Sequence, residues 1–586
     1  MNNKKNYILL LKTILATLAI VYYCEIQTNI VFSIIICFLV YVFFKESNYK
    51  KNIYTTILSI ISNFLLLLGK YIVYLSDNLS IRSIILRYVI CGIGGFILFK
   101  AVYNYIFEFL DKKKIISETN KIKSKYIFIG SFIIILISWI VILIAEYPGP
   151  IMQDTLNQFM QIFGDINYHN DHPFIHTMYI KFLYDIASIF FKTNNNRIFF
   201  ISIIQAVVNA SLYSYISYLL YKKTNNILFP IITVFFYAFV FYNPVYNISI
   251  SKDASFTIAA NLLSISILLL MEKKDWIHIA LFVICVILFC LVRKNGLYAF
   301  LYTFIIALII LIFTRRDKKI FIYLAISLLL TIFVKNTIIP IIINNMNAKE
   351  YSTSKNNDII SVSNYKFYAP TEIPMQQIAS VVYHERELTQ HEIELIETRC
   401  PLEIIREKYD RYIIDPIGKA LIENATPKAD VIPYKEYINL WLNLFAKYPQ
   451  DYIESYVYLT QYYFYPNRIV DTNIYYVAPN SYNFSKEYIA SESFTNTIEA
   501  IMDSQRKIPV INILYSPGTI MLIVFMFFFY SLYKKKYVIS LIYSLFIGIW
   551  FTIMLVTPCA DVFRYIYPVV GSIPLIIFLP FYKEEY

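Results

Sequence analysis

The chain has 586 residues, of which 58% are hydrophobic and only 16% charged; its formal net charge is +12 and its mean hydropathy +0.54. A soluble domain carries nearer ~25% charged residues, so these values exclude a soluble globular protein and indicate a polytopic membrane protein whose apolar surface faces the lipid bilayer. Nucleic acid is excluded as a partner, because Lys and Arg are dispersed through short loops between apolar segments, which is the positive-inside pattern.

Taken in chain order, about fourteen segments have the apolar length of a span: Tyr7–Tyr23, Ile30–Phe44, Tyr54–Leu75, Ile84–Leu110, Tyr126–Ala145, Arg197–Tyr221, Ile227–Tyr242, Ala254–Met271, Ile277–Val292, Leu297–Thr314, Ile320–Ile343, Ile513–Tyr533, Val538–Val556 and Tyr567–Tyr582. The first reads as a retained anchor, since no small-residue cleavage site follows it. The 54 Tyr and 46 Phe fit interfacial belts and lipid-facing helix surfaces. Basic loops at Lys45–Lys51, Asp111–Lys125, Lys222–Asn226, Glu272–Asp275, Arg315–Lys319 and Lys534–Tyr537 alternate with the spans, and placing them in the cytoplasm puts both termini there as well. His172–Phe191 decides the parity. Lys181 and Asp185 lie in its middle, where a charge at the bilayer centre costs ~2.5–3.5 kcal/mol, so an amphipathic helix in the interface is expected rather than a crossing.

This arrangement divides the chain into additional N-terminal spans (1–125), a transmembrane core (126–344) with a first outer loop at 146–191, an extracytoplasmic domain (345–509) and C-terminal spans (510–586). Residues 345–509 carry 22 acidic and 16 basic side chains, too polar for membrane and too aromatic for disorder. Thr389-Gln-His-Glu392 is a capping box opening a helix to about Thr398. Pro401 starts another, LEIIREKYDRYI, and Tyr434–Phe464 is helical with a break at Pro449. A mainly helical domain is therefore predicted. The seven cysteines show no C-x-x-C spacing; a Cys400–Cys559 bridge is compatible with both lying outside, with nothing further to support it.

The polar residues of the outer loops carry the functional signal. The first outer loop, EYPGPIMQDTLNQFMQIFGDINYHNDHPFIHT, holds Asp154, Gln158, His169, Asp171, His172 and His176. Ionisable groups gathered at the lip of a span are costly to desolvate, which favours function. An acid just after Pro-Gly-Pro can act as a general base on a hydroxyl, or simply cap a helix. The residue after His172 is Pro, so this is not a zinc-protease H-E-x-x-H motif. His172 and His176 suit a lipid phosphate, and Asp154, Asp171 and His172 are the set open to a divalent cation; no cofactor is certain. On the same face lie Lys252, Asp253, Arg293, Lys294, Asn295, Asp561 and Arg564. Basic groups against the positive-inside tendency suit a phosphate leaving group, or else anionic headgroups or the ion pairs Lys252–Asp253 and Arg564–Asp561.

YPGPIMQDTLNQ followed by HNDHPFIHT resembles the first extracytoplasmic loop of bacterial GT-C-type membrane glycosyltransferases, and resembles more closely a family of bacterial multi-spanning proteins related to them. ISKDASF, LVRKNGLY, FAKYPQDYIESYVYLTQYYFYP and FRYIYPVVGSIP fit the same pattern, so the resemblance runs from about Tyr126 to the C-terminus. It implies a GT-C-like all-α fold and a transferase that moves a sugar from a polyprenyl-phosphate donor to a cell-envelope acceptor. Asp154 falls at the family's catalytic acid. Relatives often carry a second acid or D-x-D beside it, which this chain lacks. The competing expectations are a surface-polysaccharide polymerase or ligase, a flippase or transporter of lipid-linked saccharide, and a sensor or scaffold.

Overall fold

The computed structural model describes residues 2–26, 28–46, 52–76, 81–112, 122–314, 318–350, 372–426, 429, 432–466, 468–472, 474, 476–556 and 559–582. Three of the basic loops therefore lie partly outside the described residues, at 47–51, 113–121 and 315–317. The described chain is all-α, with no strand and only isolated β-bridges.

The helices of the N-terminal and core regions are α1 (Asn2–Tyr23), α2 (Ile30–Glu46), α3 (Ile53–Ser76), α4 (Ile81–Lys112), α5 (Ser124–Ala145), α6 (Gln153–Phe163), α7 (Phe174–Phe190), α8 (Asn194–Thr224), α9 (Leu228–Phe239), α10 (Tyr242–Ile248), α11 (Lys252–Glu272), α12 (Trp276–Val292), α13 (Asn295–Thr314), α14 (Lys318–Phe333) and α15 (Ile339–Glu350); a π-helical turn, Val334–Ile338, joins the last two. The polar region contributes α16 (Glu372–Tyr383), α17 (Gln390–Glu397), α18 (Leu402–Lys408), α19 (Asp415–Glu423), α20 (Tyr434–Lys447), α21 (Pro449–Phe464) and α22 (Glu492–Gln505). The C-terminal set is α23 (Pro517–Tyr533), α24 (Tyr537–Leu555), α25 (Phe563–Val570) and α26 (Ile573–Phe578).

Ten of the described helices, some continuing through a break, are long and apolar enough to cross a membrane, making this a multi-pass membrane protein. The other segments read as spans form shorter or bent helices. α9 and α10 make one pair bent by 66°, α12 and α23 are 17 residues each, and α2 is a 17-residue helix. α7 is absent from the spanning set. Its buried positions Phe174, Thr177, Ile180, Leu183, Tyr184 and Ala187 recur at helical spacing, while Phe182 and Ile189 are exposed.

The polar region is anchored to the bundle rather than tethered beside it. Residues between Ala379 and Tyr452 build a small core of their own, whereas Val457, Tyr463 and Phe464 on the second half of α21 join the main membrane core. α17 opens with the expected reciprocal capping box between Thr389 and Glu392, and the break at Pro449 separates α20 from α21. The helix after Pro401 stops at Lys408, short of the expected Ile413, because Asp410–Ile413 turns into a bridge with Cys559. Neither Cys400 nor Cys559 is in a disulfide: Cys400 is buried in the small core, away from the loop that holds Cys559.

Candidate functional site

α5 ends at Glu146, and the chain reverses through Tyr147–Gly149, where the Tyr147–Pro148 peptide is cis. Gly149 has φ +117°, and a Cβ there would meet Ser202 Oγ at 2.5 Å, so only glycine lets this turn press against α8. Ile151 then exchanges backbone hydrogen bonds with Tyr476 and Ala478, which ties the loop to the polar region. α6 follows and stops at Gly164, a left-handed C-cap. Asp154 stands in the first turn of α6, where the helix dipole favours a carboxylate.

Three further segments converge on Asp154. Ser249–Lys252 is fixed from beneath by Gln205, whose amide donates to Ser249 O at 2.6 Å and Asn247 O at 3.1 Å. Thr155 Oγ1 donates to Ile250 O and so docks α6 on the same loop. α11 begins there, with Ser251 Oγ accepting from the Asp253 amide. The α12–α13 turn brings Arg293; Gly296, second in α13, is required because a Cβ would lie 2.1 Å from Phe289 O. α25 brings Arg564. One turn further along, Tyr567 OH receives Asn247 Nδ2 at 2.7 Å and faces Asn243 Oδ1 at 3.2 Å, locking α25 against α10.

The resulting geometry is a charge relay in space. Asp154 Oδ2 is 3.0 Å from Lys252 Nζ and 2.9 Å from Arg564 Nη1. Arg293 is 2.6 Å from Asp253 Oδ1, both side chains more than nine-tenths buried, and its guanidinium also faces the rings of Tyr565 and Phe256. His172 Nδ1 approaches Lys252 Nζ at 3.3 Å, and His172 Nε2 approaches Asn157 Nδ2 at 3.2 Å. His176 Nδ1 pairs with Gln158 Oε1 at 2.9 Å, and Gln158 Nε2 donates to Thr177 Oγ1 at 2.9 Å.

Asp154, His172, Lys252, Asp253, Arg293 and Arg564 thus meet at one end of the bundle, although the first and last are 410 positions apart. His176 and Gln158 sit behind them as a buried pair. Asp171, His169 and Lys294 lie on the rim, with Asp171 3.4 Å from His169 and 3.5 Å from Lys294. Asn295 opens α13 beside them. Asp561 is exposed and accepts from Cys559 Sγ at 3.7 Å. The ion pairs weighed from neighbouring positions, Lys252–Asp253 and Arg564–Asp561, give way to other partners. Lys252 and Arg564 both turn to Asp154, and Asp253 takes Arg293 across the helix interface. Asp154, Asp171 and His172 do not form a metal site: no group of three or more His, Cys, Asp or Glu that could hold an ion occurs among the described residues, and two cations already flank the Asp154 carboxylate.

Electrostatics follow from this packing. Burial alone would raise the Asp154 carboxyl, but Lys252 and then Arg564 outweigh it and hold the group well below the usual carboxylate range. Burial drives His172 down to about 4, with Lys252 adding to it, and the enclosed His176 down to about 3. Both imidazoles are therefore neutral at pH 7 and serve as hydrogen-bonding groups, not as extra positive charge. Asp415, at the start of α19, was not singled out from the sequence. Neighbouring groups partly desolvate its carboxyl and raise it although the residue keeps an exposed surface, and it feels the charges of Arg564 and Asp154.

A protein family described as a family of unknown function (DUF6020) matches residues 164–585. The chain belongs to this family. The matched stretch of this DUF6020 chain contains His172, Lys252, Arg293 and Arg564, while Asp154 and the Pro-Gly-Pro turn stand just ahead of it. No curated protein and no solved structure matches the chain.

Proposed function

We propose that the protein is a membrane glycosyltransferase of GT-C-like architecture, with about fourteen transmembrane helices counting the short and bent ones, both termini in the cytoplasm, and its site and polar region outside. It moves a sugar from a polyprenyl-phosphate carrier to a cell-envelope acceptor with inversion. The observation carrying this reading is the Lys252–Asp154–Arg564 arrangement: one carboxylate held between two cations at the mouth of a helical bundle. The cations have the spacing and donors to take a phosphate, and the carboxylate is then left beside it.

The order of events follows from charge. In the resting site Asp154 is a poor base, because two cations stabilise its ionised form. A donor phosphate competes for Lys252 and Arg564 and spreads their charge over its own oxygens. Asp154 loses that stabilisation, its proton affinity rises, and it accepts the proton of the acceptor hydroxyl. The hydroxyl oxygen bonds to the anomeric carbon as the anomeric carbon–oxygen bond to phosphate breaks, and the electron pair leaves with the polyprenyl phosphate. Lys252 and Arg564 stabilise the charge growing there, the large electrostatic contribution in such transfers. Arg293 is committed to Asp253 and holds the floor of the site. A transporter would place its polar groups near the midplane on broken helices in paired halves, whereas this cluster sits at one end.

Mass spectrometry of lipid carried by the protein purified in mild detergent tests the reading. Wild type and Asp154→Asn should both hold a polyprenyl-phosphate sugar, and Arg564→Ala should lose it. Absence of any such lipid, or near-normal transfer by Asp154→Asn, would reject the assignment.

A further inference from the structure

The polar region meets the site at one defined seam. Ile413 bridges Cys559 in antiparallel fashion, the Ala560 amide donates to Tyr412 O at 2.8 Å, and Tyr463 OH donates to Cys559 O at 2.9 Å. These bonds join the turn after α18 to the loop that leads into Arg564. The seam thus leads within a few residues to Arg564, whose Nη1 lies 2.9 Å from Asp154 Oδ2.

Three side chains of this seam stand at least partly open to solvent. Tyr412 is 43% exposed and stands edge-on to the buried Tyr458, with ring centroids 5.4 Å apart, while Arg411 lies over Tyr458 at 4.8 Å. Tyr412 is thus braced against Tyr458 while part of its surface stays open to solvent. Asp415 follows three residues later, exposed and with no ion pair or hydrogen bond to its carboxylate among the described residues, although Arg564 and Asp154 lie within electrostatic reach. Asp561, exposed on the facing loop, adds a second carboxylate. A part-exposed aromatic ring braced against Tyr458, beside the Asp415 carboxylate, which is unpaired among the described residues, and the exposed Asp561, matches the chemistry of a saccharide. The apolar face of a sugar ring covers an aromatic ring, and its hydroxyls donate to carboxylate oxygens.

We infer that this seam is the acceptor subsite: a saccharide unit of the acceptor lies on Tyr412, with hydroxyls donated to Asp415 and Asp561. The inference rests on the glycosyl-transfer reading and deepens it. It assigns the polar region the acceptor and leaves the donor phosphate to Lys252 and Arg564.

The test uses the full chain in lipid nanodiscs and oligosaccharides released by mild acid from the envelope polysaccharide of the producing cells, read by saturation-transfer difference NMR. Wild type should give sugar signals. Tyr412→Ala and Asp415→Asn should each lower them at least fivefold, and Tyr412→Phe, which keeps the ring, should retain them. Wild-type signals from both Tyr412→Ala and Asp415→Asn, or no signal from wild type, would overturn the subsite. Carried lipid is measured on the same preparations. Lipid-linked sugar present with saccharide binding unchanged by these variants removes the subsite alone; saccharide binding lost in the variants with no lipid-linked sugar in any preparation removes the donor reading alone.

Discussion

Asp253 and Arg293 meet at 2.6 Å beneath the Asp154 cluster, one at the start of α11 and the other at the end of α12, and both are almost wholly buried. Neighbouring side chains Lys252 and Lys294 point elsewhere, toward Asp154 and Asp171. The pair therefore decides which way its neighbours on the chain can face, because Asp253 cannot also serve Lys252.

Removing one partner should be worse than removing both. Asp253→Asn leaves a buried guanidinium without its counter-charge, which costs on the order of 3–5 kcal/mol. The double substitution Asp253→Leu with Arg293→Met removes both charges and should recover most of that loss. Thermal unfolding in detergent, followed by intrinsic fluorescence, checks this: the single variant should melt well below the double. Equal melting temperatures would mean that the pair is not electrostatically committed.

Acid should loosen the fold through His176. Its folded pKa, about 3, lies below the ordinary histidine value near 6.5, so the unfolded chain binds the proton first as pH falls. Stability from the neutral, buried ring is full above the unfolded value and is lost progressively below it. Between pH 6.5 and 5 the loss is roughly 2 kcal/mol. His176→Gln, which cannot titrate, should start lower and lose less over that interval. Parallel melting-temperature curves for the two proteins would contradict the burial argument.

What the sequence made legible was sidedness and composition; what it hid was pairing. Lys252, Arg293 and Arg564 stand out because basic residues oppose the positive-inside tendency there, and Asp154 because it follows a Pro-Gly-Pro stop. The structure brings all four together. Nearby acids looked like the natural partners of Lys252 and Arg564, yet Lys252 and Asp253 diverge by about 100° as consecutive helical positions, and Asp561 stays on the exposed loop ahead of α25, so both cations turn to Asp154 on another helix. Helix starts at Thr389 and Pro401 were readable because caps are local chemistry. Asp415 carried no local signal: its Asp-Pro pair looks like an ordinary helix start, and only the Ile413–Cys559 bridge sets it beside Arg564's loop. The bend between α9 and α10 was hidden in the same way, since its apolar run continues through the break.

The fork of Arg564 should matter beyond its charge. Its Nη1 holds Asp154 while the guanidinium lies against Tyr565, with 5.3 Å from Cζ to the ring centroid. Arg564→Lys keeps a point charge but loses the planar stacking and the second donor pair. Transfer assays over donor concentration should show a tenfold or greater rise in the donor KM for Arg564→Lys and a deeper loss for Arg564→Ala. An Arg564→Lys protein indistinguishable from wild type would argue against phosphate recognition at this position.

Topology ties the chemistry to a compartment. If Asp154 and Arg564 share the outer mouth, Asp561 on the adjoining exposed loop lies outside the cell, and Lys274, in the basic turn between α11 and α12, lies inside. α11 runs 21 residues between these two ends, about 30 Å at 1.5 Å per residue, enough to separate them by one hydrocarbon core. Asp561→Cys should react with a membrane-impermeant maleimide on intact cells, and Lys274→Cys only after permeabilisation. The reverse pattern would turn the site toward the cytoplasm, where an acceptor in the cell envelope is out of reach. Labelling of both on intact cells would mean that α11 does not cross, and the bundle would then have to be rebuilt around a different set of spans.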